Sequence, residues 1–147
     1  SRCGGDESCD GASGWQCVGN TGGVVELAGE GVSVRIPAGA LEGNTPIRIR
    51  ALDDPAQTLT AALPADRRYL GKAYVFEPHN PNLFRAEVNV CLPCQGARAD
   101  LTVLRLDDPS DTSFEVYRDQ VQCDGAQLCF STSGFSVYAL AAPSSID

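Results

Sequence analysis

The chain has 147 residues, with eleven basic against nineteen acidic side chains and a net charge of −8. That length suits one domain burying roughly two-thirds of its unfolded surface. The acidity disfavours nucleic acid and anionic membranes, which are met by basic patches, and no run reaches the ~20 apolar residues of a membrane-spanning helix, so no membrane insertion is expected.

The first twenty residues are polar and glycine-rich. They hold Cys3, Cys9 and Cys17, and the run from Asp6 to Gly11 has loop chemistry with no periodicity. Residues 1–20 are expected to form a cysteine-rich leader or linker, the stub of a small disulfide-held module. Trp15, the only tryptophan, is expected to cap the domain where the leader folds back, ahead of serving as an exposed contact. The sequence contains no methionine. It therefore reads as a mature or excised piece of a longer precursor, whose other domains are expected partners.

Residues 21–147 read as one domain. Val32, Val34 and Ile36 fall on one side of a two-residue period, and Ser33 and Arg35 on the other. That pattern is a strand with one dry face and one wet face. Pro37 ends it, having no N–H to donate, and one turn over 38–41 would tuck Ala40 and Leu41 under the sheet. In the next strand Ile47, Ile49 and Ala51 alternate with Arg48 and Arg50. A long connection follows from Asp53 to Gly71, in which Thr58–Leu63 is a short helix candidate stopped by Pro64. Strands are then predicted at Ala73–Glu77, Glu87–Leu92, Leu101–Leu106, Phe114–Tyr117, Leu128–Phe130 and Phe135–Leu140, with turn residues between them. No long amphipathic helix is visible. The predicted fold is all-β, an antiparallel β-sandwich of about eight to nine short strands held by disulfides.

The Gly22-Gly23 start, the run Gly31-Val-Ser-Val-Arg-Ile-Pro-Ala-Gly-Ala-Leu41 and the strand Ile47-Arg-Ile49 together resemble the ZU-five domain. That family is named for zonula occludens proteins and Unc-five netrin receptors, and it also occurs in ankyrins and bacterial surface proteins. Ala73–Asn80 with Ala86–Pro93 is similar to the family's central strand pair and its Pro-His turn, and Ser133–Leu140 to its closing strand. The likeness spans residues 21–142. It implies a β-sandwich and leaves the role open, because one fold hosts many functions.

Seven cysteines point to an oxidising compartment, hence an extracellular or periplasmic, cell-surface setting. Cys91, Cys94, Cys123 and Cys129 are expected to close as two bridges. The simplest pairing joins Cys123 to Cys129 across a hairpin turned by Asp124-Gly125. The competing pairing ties each of them to Cys91 or Cys94 on another strand. Cys3, Cys9 and Cys17 leave one cysteine unpaired within their own group. Cys91-Leu-Pro-Cys94 lacks the helix N-terminus that activates a redox dithiol, and zinc would need a second pair. Structural disulfides are favoured over both.

Leu52-Asp-Asp-Pro-Ala-Gln-Thr58 is echoed by Leu106-Asp-Asp-Pro-Ser-Asp-Thr112. A recurrent strand-ending turn accounts for both, with an Asp side chain bonding the backbone ahead and Pro stiffening the exit. The alternative is a calcium site on Asp53, Asp54, Asp107, Asp108 and Asp111, whose hard oxygens suit that ion but whose spacing matches no EF-hand. His79, the only histidine, lies in Pro78-His-Asn-Pro81 and reads as a turn residue with no nucleophile elbow to serve. Some relatives of the ZU-five domain cleave themselves at a His-Phe-Ser triplet. Here Gly134-Phe135-Ser136 keeps the last two residues and lacks the base, so the chain is expected to stay uncut. Phe135 is expected to pack inward beside Val137 and Ala139.

Arg35, Arg48 and Arg50 point outward and would form a patch for an anionic protein face or an acidic glycan. Neutralisation by Glu26, Glu30 or Glu87 is the commoner outcome for such residues. The favoured reading is a non-catalytic extracellular interaction or spacer module of a larger secreted or surface protein, of bacterial type. It would meet protein or glycan and need no cofactor. The alternative is a self-processing unit at Phe135-Ser136, or a thiol-redox unit at Cys91 and Cys94.

Overall fold

A computed structural model describes residues 15–27, 29–43, 45–64, 67–80, 83–94, 101–107, 110–123 and 127–143, with backbone alone at 78–80 and 120. The strands among them are β1 Gln16–Val18, β2 Gly23–Leu27, β3 Val32–Ile36, β4 Thr45–Leu52, β5 Arg67–Asn80, β6 Val88–Pro93, β7 Leu101–Leu106, β8 Glu115–Val121, β9 Gln127–Thr132 and β10 Phe135–Pro143. One helical turn, α1 Pro55–Thr58, lies between β4 and β5. The strands pair antiparallel into two sheets, ordered β1-β4-β5-β10-β7-β8 and β2-β3-β6-β9. The expected antiparallel sandwich is the fold.

The smaller sheet follows directly from alternation. Val32, Val34 and Ile36 of β3, and Val88, Val90 and Leu92 of β6, face the core. Ser33, Arg35, Asn89 and Cys91 lie between them on the wetter side. After Pro37 the chain turns once, the Ala40 N–H donating to the Pro37 carbonyl at 3.2 Å, and Ala40 and Leu41 are buried as expected. Gly22 enters β2 at φ +82°, a conformation that glycine adopts without penalty. A side chain is excluded there for a second reason: a Cβ would lie 2.3 Å from the Ile36 carbonyl oxygen.

The larger sheet and its connections depart from expectation in several places. β1 joins it upstream of residue 21, with Gln16 opposite Ile47; three residues are too few to show a period. β5 runs from Arg67 to Asn80 and pairs along both flanks, with β4 and β10. Pro78–Asn80 therefore continue the strand instead of turning, and Asn80 sits opposite Phe135. The helical turn is α1, not Thr58–Leu63. Pro55 suits its first position, where an N–H would lack an intrahelical partner anyway. Beyond it the chain is extended, with Ala62 bridged to Ser113.

That connection covers the second face of the larger sheet. Leu59 and Ala61 pack with Ala73, Val75, Leu106, Val137 and Ala139 in one apolar cluster. The main core, between the sheets, holds Phe76, Phe84, Phe130, Phe135 and Tyr138. β10 is consequently buried on both faces from Phe135 to Ala142. Phe135 does not share a face with Val137 and Ala139, contrary to expectation. The β10–β5 register slips between Phe135 and Val137, and this bulge returns Phe135 to the inter-sheet core.

Two bridges cross-link the strands, Cys91–Cys129 and Cys94–Cys123. The hairpin pairing of Cys123 with Cys129 is thus corrected in favour of its competitor. Cys91 and Cys129 stand directly opposite one another on β6 and β9, with Cα atoms 4.0 Å apart. Cys94 follows β6 of the smaller sheet and Cys123 follows β8 of the larger, so their bridge ties one sheet to the other. Cys17 is also disulfide-bonded, and among the described residues there is no free cysteine. Cys3, Cys9, Asp108 and the Asp124-Gly125 turn lie outside the described residues. Bridges of this kind form in an oxidising environment.

Candidate functional site

Ser136 sits on the β10 bulge and is fully buried. Its hydroxyl donates to the Phe135 carbonyl oxygen at 2.8 Å. The preceding carbonyl, of Gly134, accepts from Tyr138 at 3.0 Å and from Thr132 at 3.2 Å. Tyr117 in turn donates to Thr132 Oγ1 at 2.9 Å. Burial pushes the Tyr138 hydroxyl above its ordinary pKa, so it acts there as a neutral donor. The network consists of hydroxyls and backbone, and its Ser136 proton is directed at a carbonyl. A serine in that state is a donor, not an activated nucleophile. The backbone of His79 lies in β5, and its side chain lies outside the described ones.

The Cys91-Leu-Pro-Cys94 pair is not a dithiol. Each of its cysteines is bonded to a different strand, because neighbouring residues of a strand point to opposite faces and Leu92-Pro93 separate the two.

The three arginines do not form one patch. Arg35 lies on β3 of the smaller sheet, whereas Arg48 and Arg50 lie on β4 of the larger. Both β4 arginines pair with one carboxylate, that of Glu77 rather than those expected. Arg48 Nε donates to Glu77 Oε1 at 2.8 Å, and Arg50 reaches the same carboxylate at 3.2 and 3.3 Å. Burial pushes the Glu77 carboxyl up, but these charged donors more than offset it and hold its pKa below the usual carboxylate value. The pairing became legible only with the register that sets Arg48 opposite Glu77. Arg48 also stacks 4.5 Å above the Trp15 ring, which anchors that half-buried tryptophan to the sheet edge.

Among the described residues neither Asp-Asp-Pro turn shows an ion cage. Asp53 pairs with Lys72 at 3.2 Å and Asp107 with Arg105 at 3.0 Å. Asp54 makes no side-chain cap; the turn after β4 is closed by the Gln57 and Thr58 N–H groups on the Asp54 carbonyl instead. β4 and β7, from which the two turns lead, are three strand spacings apart in the sheet, roughly 14 Å. Among the described residues no group of three or more His, Cys, Asp or Glu side chains could hold a metal.

A cleft of about 730 Å³, unannounced by any sequence motif, lies at one end of the smaller sheet. It is walled by Gly29, Glu30 and Gly31 of the β2–β3 turn, by Pro93, and by Gln127 and Cys129 of β9. Gln127 Nε2 closes one wall by donating to the Gly31 carbonyl at 3.0 Å. Glu30, on the rim, is held by Lys72 at 2.9 Å. Amides, carbonyls, one paired carboxylate and a disulfide line the space. These are groups for hydrogen-bonded contact, and no base stands beside a nucleophile among the described lining residues. Turn residues far apart in sequence build it, so no local motif announces it. The sequence matches no protein-family model and no curated protein, and the ZU-five resemblance rests on its motifs.

Proposed function

We propose that the chain is a non-catalytic, ZU-five-like module of a larger secreted or surface protein of bacterial type, working outside the cytoplasm as a spacer or interaction domain. The single observation that carries this reading is the engagement of its reactive groups within the fold. Every described cysteine is bridged, Ser136 is tied to its own backbone, and Arg48 and Arg50 share one carboxylate. What remains for a partner is surface, chiefly the amide-lined cleft at Gln127, which suits protein or glycan hydrogen-bonding groups.

Intact mass before and after reduction tests the reading. The expected outcome is one full-length species in which Cys91, Cys94, Cys123 and Cys129 react with thiol reagents only after their bridges are opened. Two fragments meeting between Phe135 and Ser136 would replace the reading with self-processing.

A further inference from the structure

The two bridges differ in exposure at one partner each, Cys91 and Cys123 both being half-buried. Cys94 is fully buried and Cys123 packs against the main core. Cys129 is exposed and Cys91 half-buried on the outer side of the smaller sheet, where Cys129 lines the cleft. We propose that Cys91–Cys129 is a thiol-exchange site, open to a small external thiol such as a glutathione-type peptide, while Cys94–Cys123 stays closed.

Three observations support it, independently of the role proposed above. First, access differs while loop length barely does: the bridges span 38 and 29 residues, so loop entropy favours neither strongly. Exposed bridges are the labile ones, because an attacking thiolate must reach a sulfur. Secondly, the sheet does not depend on this bond. β6 and β9 stay in register without a slip from Val88–Thr132 to Pro93–Gln127, so the ladder holds both sulfurs in place after the bond breaks. The Cys94–Cys123 bond has no such substitute, since it joins the two sheets. Thirdly, a group stands ready for the charge that departs. Asn89 Nδ2 lies 3.5 Å from Cys91 Sγ, one strand period away on the same face.

The step balances without an outside oxidant. An incoming thiolate bonds to Cys129 Sγ, which lies on the cleft side. The Cys91–Cys129 bond breaks, and its electron pair leaves on Cys91 as a thiolate facing the Asn89 amide. A mixed disulfide remains on Cys129. A second thiol resolves it, releasing the oxidised small-molecule disulfide and leaving two thiols on one strand pair.

Reduced glutathione on the native chain, followed by alkylation and peptide mass mapping, tests the site. Glutathione is expected on Cys129 and the alkyl group on Cys91, with Cys94–Cys123 intact and circular dichroism unchanged. The exposed bridge should open about tenfold faster or more than the buried one. Opening of both at one rate, opening of Cys94–Cys123 first, or glutathione on Cys91 alone would overturn the proposal. Asn89→Ala should slow opening by about tenfold or more in the folded chain, the worth of one hydrogen bond to a charge, and change nothing in urea-unfolded chain. Equal slowing in both states would show that Asn89 plays no part in receiving the thiolate.

Discussion

The two sheets obey the same alternation under different cover. In the smaller sheet one face is dry and the other meets water, so β3 and β6 bury every second residue. In the larger sheet the connection after β4 covers the second face, and β7 and β10 are buried almost throughout. Polarity labels the faces of the first and says nothing about those of the second. A two-sided apolar strand takes its facing from its neighbours and its bulges.

The largest expected effect separates the sheets most sharply. Phe135 is fully buried, with the Phe76 and Phe84 rings 5.4 and 4.9 Å away. Phe135→Ala is expected to lower the unfolding free energy by about 3–5 kcal/mol. Val34→Ala, equally buried in the smaller sheet, should lose about 2 kcal/mol. Urea unfolding measures both, and equal losses would mean that the aromatic cluster holds no special share of the core.

The entry to β2 offers a finer comparison. Gly22 and Gly39 both have positive φ, at +82° and +86°, and a Cβ on Gly39 would meet nothing within 4 Å. Gly39→Ala should therefore show the backbone cost alone, about 1 kcal/mol. Gly22→Ala adds the collision with Ile36 and should lose about 2–3 kcal/mol. A smaller loss at Gly22 than at Gly39 would remove the collision from the account. Next comes Tyr138→Phe, which withdraws one of two donors from the Gly134 carbonyl. It is expected to lose about 1–2 kcal/mol by the same measurement, and Tyr117→Phe, at a half-buried site, less.

What could be read from residues alone follows the same division. The strand ending at Pro37, the turn that buries Ala40 and Leu41, and the inward Ile47 and Ile49 were all legible because a wet face contrasted with a dry one. The facing of Phe135 was not, since the bulge beside it exists only in the pairing with β5. Cys91–Cys129 was one of three pairings until β6 and β9 came into register. The Glu77 partner of Arg48 and Arg50, and the Gln127 cleft, join residues dozens of positions apart. Their contacts depend on topology, which no local period encodes.

The smallest expected effect tests where the cover ends. Ala73 and Val75 of β5 face the covered side, and Glu77, two residues further along that face, is paired with Arg48 and Arg50 instead. Side-chain exposures of 24% for Arg48 and 45% for Arg50 leave the cluster open to solvent screening. Glu77→Gln should therefore lose no more than about 1 kcal/mol near neutral pH. The sign with pH is set by the lowered carboxyl pKa of the folded state. Stabilisation is present above the unfolded value, about 4.3, and fades as pH falls through the lower folded one. The gap between parent and Glu77→Gln should accordingly narrow on acidification from pH 5 towards pH 2, and added salt should shrink it at neutrality. A gap that widened in acid would show that the carboxylate is held against its own burial rather than by the arginines. The polar stripe at 48, 50 and 77 would then be a strained extension of the dry face, not its boundary.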